Sequence, residues 1–145
     1  MGNPYQQHGD SYRKTQIDTA SPESLILMLY DGALRFIAQA EAGFEVEDKE
    51  LISNSLLRVQ AIFAELMAAL NKDQGGEIAA NLERLYVFFL EKLGEANVQK
   101  NIKPIQEIKP LVEDLRNTWD EAMKIRLKQS QGPTGPTKPR LNLAV

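Results

Sequence analysis

The chain has 145 residues, 43% of them hydrophobic and 26% charged, enough for one globular domain with a proper core. Twenty acidic against 17 basic residues leave no basic face of the kind nucleic acid requires, so no nucleic-acid partner is expected. Cysteine is absent, which excludes disulfides and thiol chemistry. No apolar run approaches the ~20 residues of a membrane span, and the stretch Met1 to Lys14 lacks the apolar core of a secretory signal. A cytoplasmic protein without membrane insertion is expected.

Residues 1–20 are polar, with Tyr5, Tyr12 and Ile17 as their sizeable apolar side chains after Met1. Tyr5 and Tyr12 stand seven apart, so a helical arm would carry both on one face; the alternative is a frayed terminus. Ser21 then reads as an N-cap, Pro22 as a first helical position and Glu23 as a first-turn acid. The helix from Pro22 to about Ala42, stopping near Gly43, is unusually apolar. Leu25, Ile26, Leu29, Tyr30, Ala33, Phe36, Ile37 and Ala40 make one broad face, and Leu27 and Leu34 extend it to an arc of roughly 200°, against the ~100° a core-facing surface helix needs. Such a helix is either central or has apolar surface left for a partner.

A second helix is predicted from an Asp48 cap to Leu70. Ile52, Leu56, Val59, Phe63, Leu66 and Leu70 recur at 4-3-4-3-4 spacing, a bundle seam. Leu57, Ala61, Ala64 and Ala68 form an opposite stripe of mostly small apolar groups, readable as a docking groove or as plain helix propensity. Asn71 to Gly76 is a stop and turn. The third helix, about Glu77 to Ala96, has its seam at Ile78, Leu82, Leu85, Phe89, Leu93 and Ala96, while Val87 and Phe88 fall outside it. Asn97 suits the left-handed end of that helix. The fourth, capped by Asn101 and reaching about Lys128, carries Ile105, Ile108, Val112, Leu115, Trp119 and Ala122. Pro110 inside it removes a hydrogen bond to the Gln106 carbonyl and should kink it. Beyond it, Gly132-Pro133-Thr134-Gly135-Pro136-Thr137-Lys138-Pro139 reads as a disordered linker ending in an apolar tip, Leu141 to Val145.

These elements predict an all-α fold: an N-terminal arm over 1–20, an antiparallel four-helix bundle over 21–128, and a disordered Gly/Pro-rich tail over 129–145. Catalysis finds no support. The single histidine is His8, outside the helices, so a di-iron Glu-x-x-His site and a phosphotransfer histidine are both excluded. Gly75-Gly76 is a turn rather than a phosphate loop, and the carboxylates are spaced as a solvated face. No enzyme activity, metal or cofactor is expected. What remains is apolar surface suited to an amphipathic helix. The candidate partner surface comprises Leu27, Tyr30, Leu34, Leu57, Ala61, Ala64, Ala68, Val87 and Phe88.

The blocks Thr19-Ala20-Ser21-Pro22, Met28-Leu29-Tyr30-Asp31-Gly32-Ala33, Gly75-Gly76-Glu77-Ile78-Ala79-Ala80-Asn81-Leu82, Leu85-Tyr86, Glu95-Ala96-Asn97, Leu115-Arg116 and Thr118-Trp119, with Asn3-Pro4-Tyr5 and Tyr12 ahead of them, resemble the flagellar secretion chaperone FliS family. The likeness runs from about Asn3 to Lys124; Pro110 and the stretch after Lys128 depart from it. The resemblance implies a cytoplasmic export chaperone that binds the C-terminal helical segment of flagellin, prevents premature polymerisation and delivers it to the flagellar type III export gate. It also implies that Tyr5, Tyr12 and Ile17 plug the groove until flagellin arrives. The competing expectation is a helical adaptor or regulator that self-associates through the same surface, as at least a weak homodimer.

Overall fold

The computed structural model of the chain describes residues 20–130. Four helices follow one another: α1 (Pro22–Glu45), α2 (Lys49–Ala68), α3 (Lys72–Gln99) and α4 (Lys103–Ser130). Each is joined to the next by only three residues, which forces consecutive helices to lie antiparallel. α1 packs on α2, α2 on α3 and α3 on α4, and α4 closes back onto α1. The described residues contain no strand. The expected antiparallel bundle is the observed fold; the arm and the tail lie outside the described residues.

Side-chain caps set the helix starts. Ser21 Oγ accepts from the Ser24 amide at 3.2 Å with Pro22 in the first turn. Asp48 Oδ1 accepts from Leu51 at 3.1 Å, and Asn101 Oδ1 from Lys103 at 3.1 Å. Three ends differ from expectation. Gly43 does not stop α1. It lies inside the helix and is buried, and a Cβ there would meet Ile52 Cγ1 at 3.0 Å and the Ile52 backbone nitrogen at 3.1 Å, so its role is close approach to α2. In α3 a first turn capped by Asn71 precedes a break at Gly76 (φ 53°, ψ −129°), a conformation that only glycine adopts readily, and the helix resumes at Glu77. At its other end α3 extends to Gln99, and the left-handed residue is Lys100 (φ 50°) rather than Asn97. The Lys100 ammonium compensates by donating to the Asn97 carbonyl and Oδ1, both at 2.6 Å, and to Ser53 Oγ at 2.9 Å.

The core follows the seams. Ile52, Leu56, Val59, Phe63 and Leu66 of α2 are buried, as are Phe89, Leu93 and Ala96 of α3 and Ile105, Ile108, Val112 and Trp119 of α4. Phe63 sits at the centre, 5.0 Å from the Phe89 ring and 5.8 Å from Tyr86. α2 has the length and composition of a membrane-crossing helix, but its seam is buried in the core and it packs against α1 and α3. Ser55 is buried too, and its hydroxyl has no partner among the described residues. Across the bundle the hydroxyls of Tyr30 (α1) and Tyr86 (α3) hydrogen-bond to each other. Burial pushes both phenols above their ordinary range; the Tyr86 charge and hydrogen bond add to this for Tyr30, whereas the bond to Tyr30 offsets part of it for Tyr86.

α4 is helical through Pro110, which lies on its exposed face with Gln106, where water can reach the carbonyl left without a partner. α4 is fastened to α1 by Trp119, whose Nε1 donates to the Glu23 carbonyl at 2.8 Å. Ion pairs of Glu23 with Arg126, Asp31 with Arg116 (2.7 Å) and Glu41 with Lys109 (2.9 Å) run along the same boundary.

Candidate partner-binding surface

Five of the expected surface residues lie exposed on α2 and α3. Leu57 is 54% exposed, and Ala61, Ala64 and Ala68 continue its outward stripe along α2, the spacing that keeps side chains on one helix face. The Ser53–Asn97 hydrogen bond (2.9 Å) and the approach of Gly94 to Gln60 give the antiparallel alignment of the two helices. Val87, one heptad before Gly94, is then level with Ala64 and stands 41% exposed. The strip is shallow because its α2 wall is mostly methyl groups, and Glu83, paired with Lys72 at 2.8 Å, closes one end.

The other four are elsewhere. Tyr30 is only 3% exposed, with its hydroxyl paired to Tyr86, so it is a core residue and presents nothing to a partner. The apolar arc of α1 is wide enough to be buried on both flanks, which is why Tyr30 cannot be told from surface by spacing. Leu27 and Leu34 are half-buried against the core. They share a helical face with Glu23 and Glu41, which bond to α4, so α4 covers them and they do not join the α2 stripe. Phe88 points the opposite way from Val87: its ring carries the Lys92 ammonium at 5.6 Å, and Lys92 reaches Glu107 of α4 at 3.1 Å. That bond holds the Lys92 ammonium charged above its ordinary range.

Phe88 therefore belongs to a second surface, the seam between α3 and α4. Ile78, Leu85 and Lys92 recur every seven residues and face α4 together. On α4 the positions Glu107, Leu111, Asp114, Thr118, Glu121 and Ile125 repeat at 4-3-4-3-4 spacing and face α3. Ile78 is 44%, Leu111 39% and Ile125 56% exposed, while Leu82, Leu85, Phe88 and Leu115 are half-buried beneath them. Ile78, Leu82, Leu85 and Leu115 read from spacing as core; Leu111 and Ile125 lie off the core seam, and its spacing does not mark them. Their signal is the off-seam 4-3 repeat on α4, partly masked by the acids interleaved with it.

Among the described residues, no cluster of acidic, histidine or cysteine side chains could hold a metal. An open bowl of about 830 Å³ lies between Glu41, Phe44 and Lys100 at one end of the bundle. Among the described residues, the perturbed groups are the two core tyrosines and three cations in ion pairs. A closed bundle with two apolar strips in the open defines a class: a helical binding module.

The comparisons make the class particular. The family model described as Flagellar protein FliS matches residues 1–126. The chain is 32% identical over 133 residues to the Flagellar secretion chaperone FliS of Bacillus subtilis (strain 168), covering 92% of this chain and 96% of that protein. It is 37% identical over 112 residues to the FliS of Campylobacter jejuni, covering 77% and 88%, and 31% identical over 109 residues to that of Salmonella typhimurium, covering 74% and 81%. The chain belongs to the FliS family of flagellar export chaperones, which are not enzymes. The family model takes in residues 1–20 and ends at residue 126, whereas the Bacillus subtilis match, 133 residues long, extends into the Gly/Pro-rich stretch.

Proposed function

We propose that this chaperone binds the C-terminal helical segment of flagellin in the cytoplasm, keeps it from polymerising and delivers it to the flagellar type III export apparatus. The observation that carries the reading is the pair of exposed apolar strips on a bundle whose core is already complete. An amphipathic client helix would lie along the α3–α4 seam against Ile78, Phe88, Leu111 and Ile125, buried as a fifth helix. A second client helix would approach closely over Leu57, Ala61, Ala64, Ala68 and Val87. Tyr5, Tyr12 and Ile17, outside the described residues, would cover part of this surface until the client displaces them.

Titration of a flagellin C-terminal peptide by calorimetry should show binding with negative ΔCp, the mark of apolar burial and coupled folding. Leu111→Asp with Ile125→Asp should abolish it while leaving the helical circular dichroism unchanged. Absence of heat at tens of micromolar peptide would sink the proposal. Concentration-dependent dimerisation by light scattering that buries Leu57 and Ala61 would favour a self-associating adaptor instead.

A further inference from the structure

We propose that the α3–α4 seam is covered, in the chain free of client, by the chain's own segment Leu141 to Val145. Three observations single out this occupant. First, the seam is apolar along its floor and acidic along its α4 rim. Asp114 and Glu121 alternate with Leu111 and Ile125 on the face turned to α3, and neither acid has an ion-pair partner among the described residues. Second, residues 138–145 have the complementary order: Lys138 and Arg140, then Leu141, Leu143 and Val145 at alternate positions. An extended chain puts those three apolar side chains on one side, with the two cations just ahead of them. No other stretch outside the described residues joins cations to an apolar run in this way.

Third, the reach is right. α4 ends at Ser130, and the seam starts beside its last turns at Ile125. Leu115 lies about 22 Å back along the helix at 1.5 Å per residue. The Gly/Pro-rich stretch from Ser130 to Leu141 spans about 18 Å as a coil and up to about 34 Å extended. It therefore delivers Leu141 to any point between Ile125 and Leu115, but is poorly placed for Leu57, midway along α2 on another face of the bundle. Attachment to α4 keeps the local concentration of the tip high, so a five-residue segment with three apolar side chains on one side suffices for a contact it would not hold as a free peptide. A client helix entering the seam must displace this cover, a consequence that rests on the flagellin reading above; the docking itself does not.

The test uses the full chain without client. Because the chain has no cysteine, Ala144→Cys carries a spin label at a single position. Docking predicts loss of the methyl signals of Ile78, Leu111, Leu115 and Ile125, with those of Leu57 and Val87 retained. Adding Leu141→Asp and Leu143→Asp to the labelled chain should restore the lost signals, as both positions lie beyond the four described helices. Asp114→Lys with Glu121→Lys should restore them in part, and unchanged loss there would overturn the electrostatic half of the proposal. Retention of the seam signals in the labelled chain overturns the docking itself. So does an equal loss when the labelled chain is mixed with a separate, isotope-enriched one, which would assign the seam to a second copy. Peptide binding by calorimetry stands or falls independently of all these outcomes.

Discussion

The α1–α2 and α3–α4 pairs are both antiparallel, both joined by three residues and both written with similar seam spacings, yet one is shut and the other open. Between α1 and α2 the helices approach until a single methyl group would collide: a Cβ on Gly43 meets Ile52 side chain and backbone, and one on Gly32 comes within 3.3 Å of Ile62 Cδ1. Between α3 and α4 no glycine draws the helices together, and the half-exposed Ile78, Leu111 and Ile125 stand along the boundary with Lys92–Glu107 bridging it. Seam spacing thus decides that two helices pair; the size of the residues flanking the seam decides how far the pair closes. A chaperone uses both outcomes, a tight half that holds the fold and a loose half that offers surface.

The largest effect should come from forcing the tight pair apart. Gly43→Val places branched carbon against the backbone of Ile52 and is expected to cost about 3 kcal/mol of stability by overpacking, read as a lower urea midpoint at unchanged slope. Gly32→Ala meets only the mobile tip of Ile62 and gains helix propensity of up to ~1 kcal/mol, so its midpoint should barely move. Equal losses at both positions would refute the distinction.

A smaller effect should come from cutting the tie between the two halves. Tyr86→Phe leaves the Tyr30 hydroxyl buried without its partner, at a cost of about 1–3 kcal/mol. Tyr30→Phe added to it should recover part of that loss, a non-additivity expected of groups in contact. The same pair gives an alkaline signature. The folded chain holds both phenols neutral beyond the value of 10.0 at which a free tyrosine ionises, so it retains protons that the unfolded chain releases. Their contribution to stability is full below about pH 10 and declines as pH rises through the raised folded values. The double phenylalanine variant should flatten the decline measured by urea melts between pH 9 and about 11.

The smallest change in stability should come from the open seam. Leu111→Ser alters an exposed position and should shift stability by no more than about 0.5 kcal/mol. A loss of several kcal/mol would mean the seam is core after all.

Much of this was legible in the residues. Caps such as Ser21, Asp48 and Asn101 act on the nearest few amides, so local sequence announces them, and seams such as Ile52 to Leu66 are periodic enough to locate the core. Gly43 was misread because a glycine that ends a helix and one that admits a neighbour look alike until the neighbour, Ile52, is in place. Lys100 could not be foreseen as the left-handed cap, since its conformation is stabilised by Ser53, far away in sequence. Spacing marks the partner-surface residues as off the seams but does not say which flank of the bundle each occupies. Val87 and Phe88, adjacent in the chain, open onto different grooves; Tyr30 opens onto none.

The ion pairs along α1 and α4 carry a last consequence. Individually such half-exposed pairs contribute little, about 0–1 kcal/mol, but their order reads as an address. Glu23, Asp31 and Glu41 descend α1 while Arg126, Arg116 and Lys109 ascend α4. If α4 slid by one heptad in either direction, its apolar seam would still find apolar neighbours, but only one of the three ion pairs would re-form, since Arg116 and Lys109 stand seven apart and one would take the other's place. Hydrophobic spacing alone leaves the last helix several resting places. The charges favour one, the register in which all three pairs form, and that register sets the rim of the open groove beside α4.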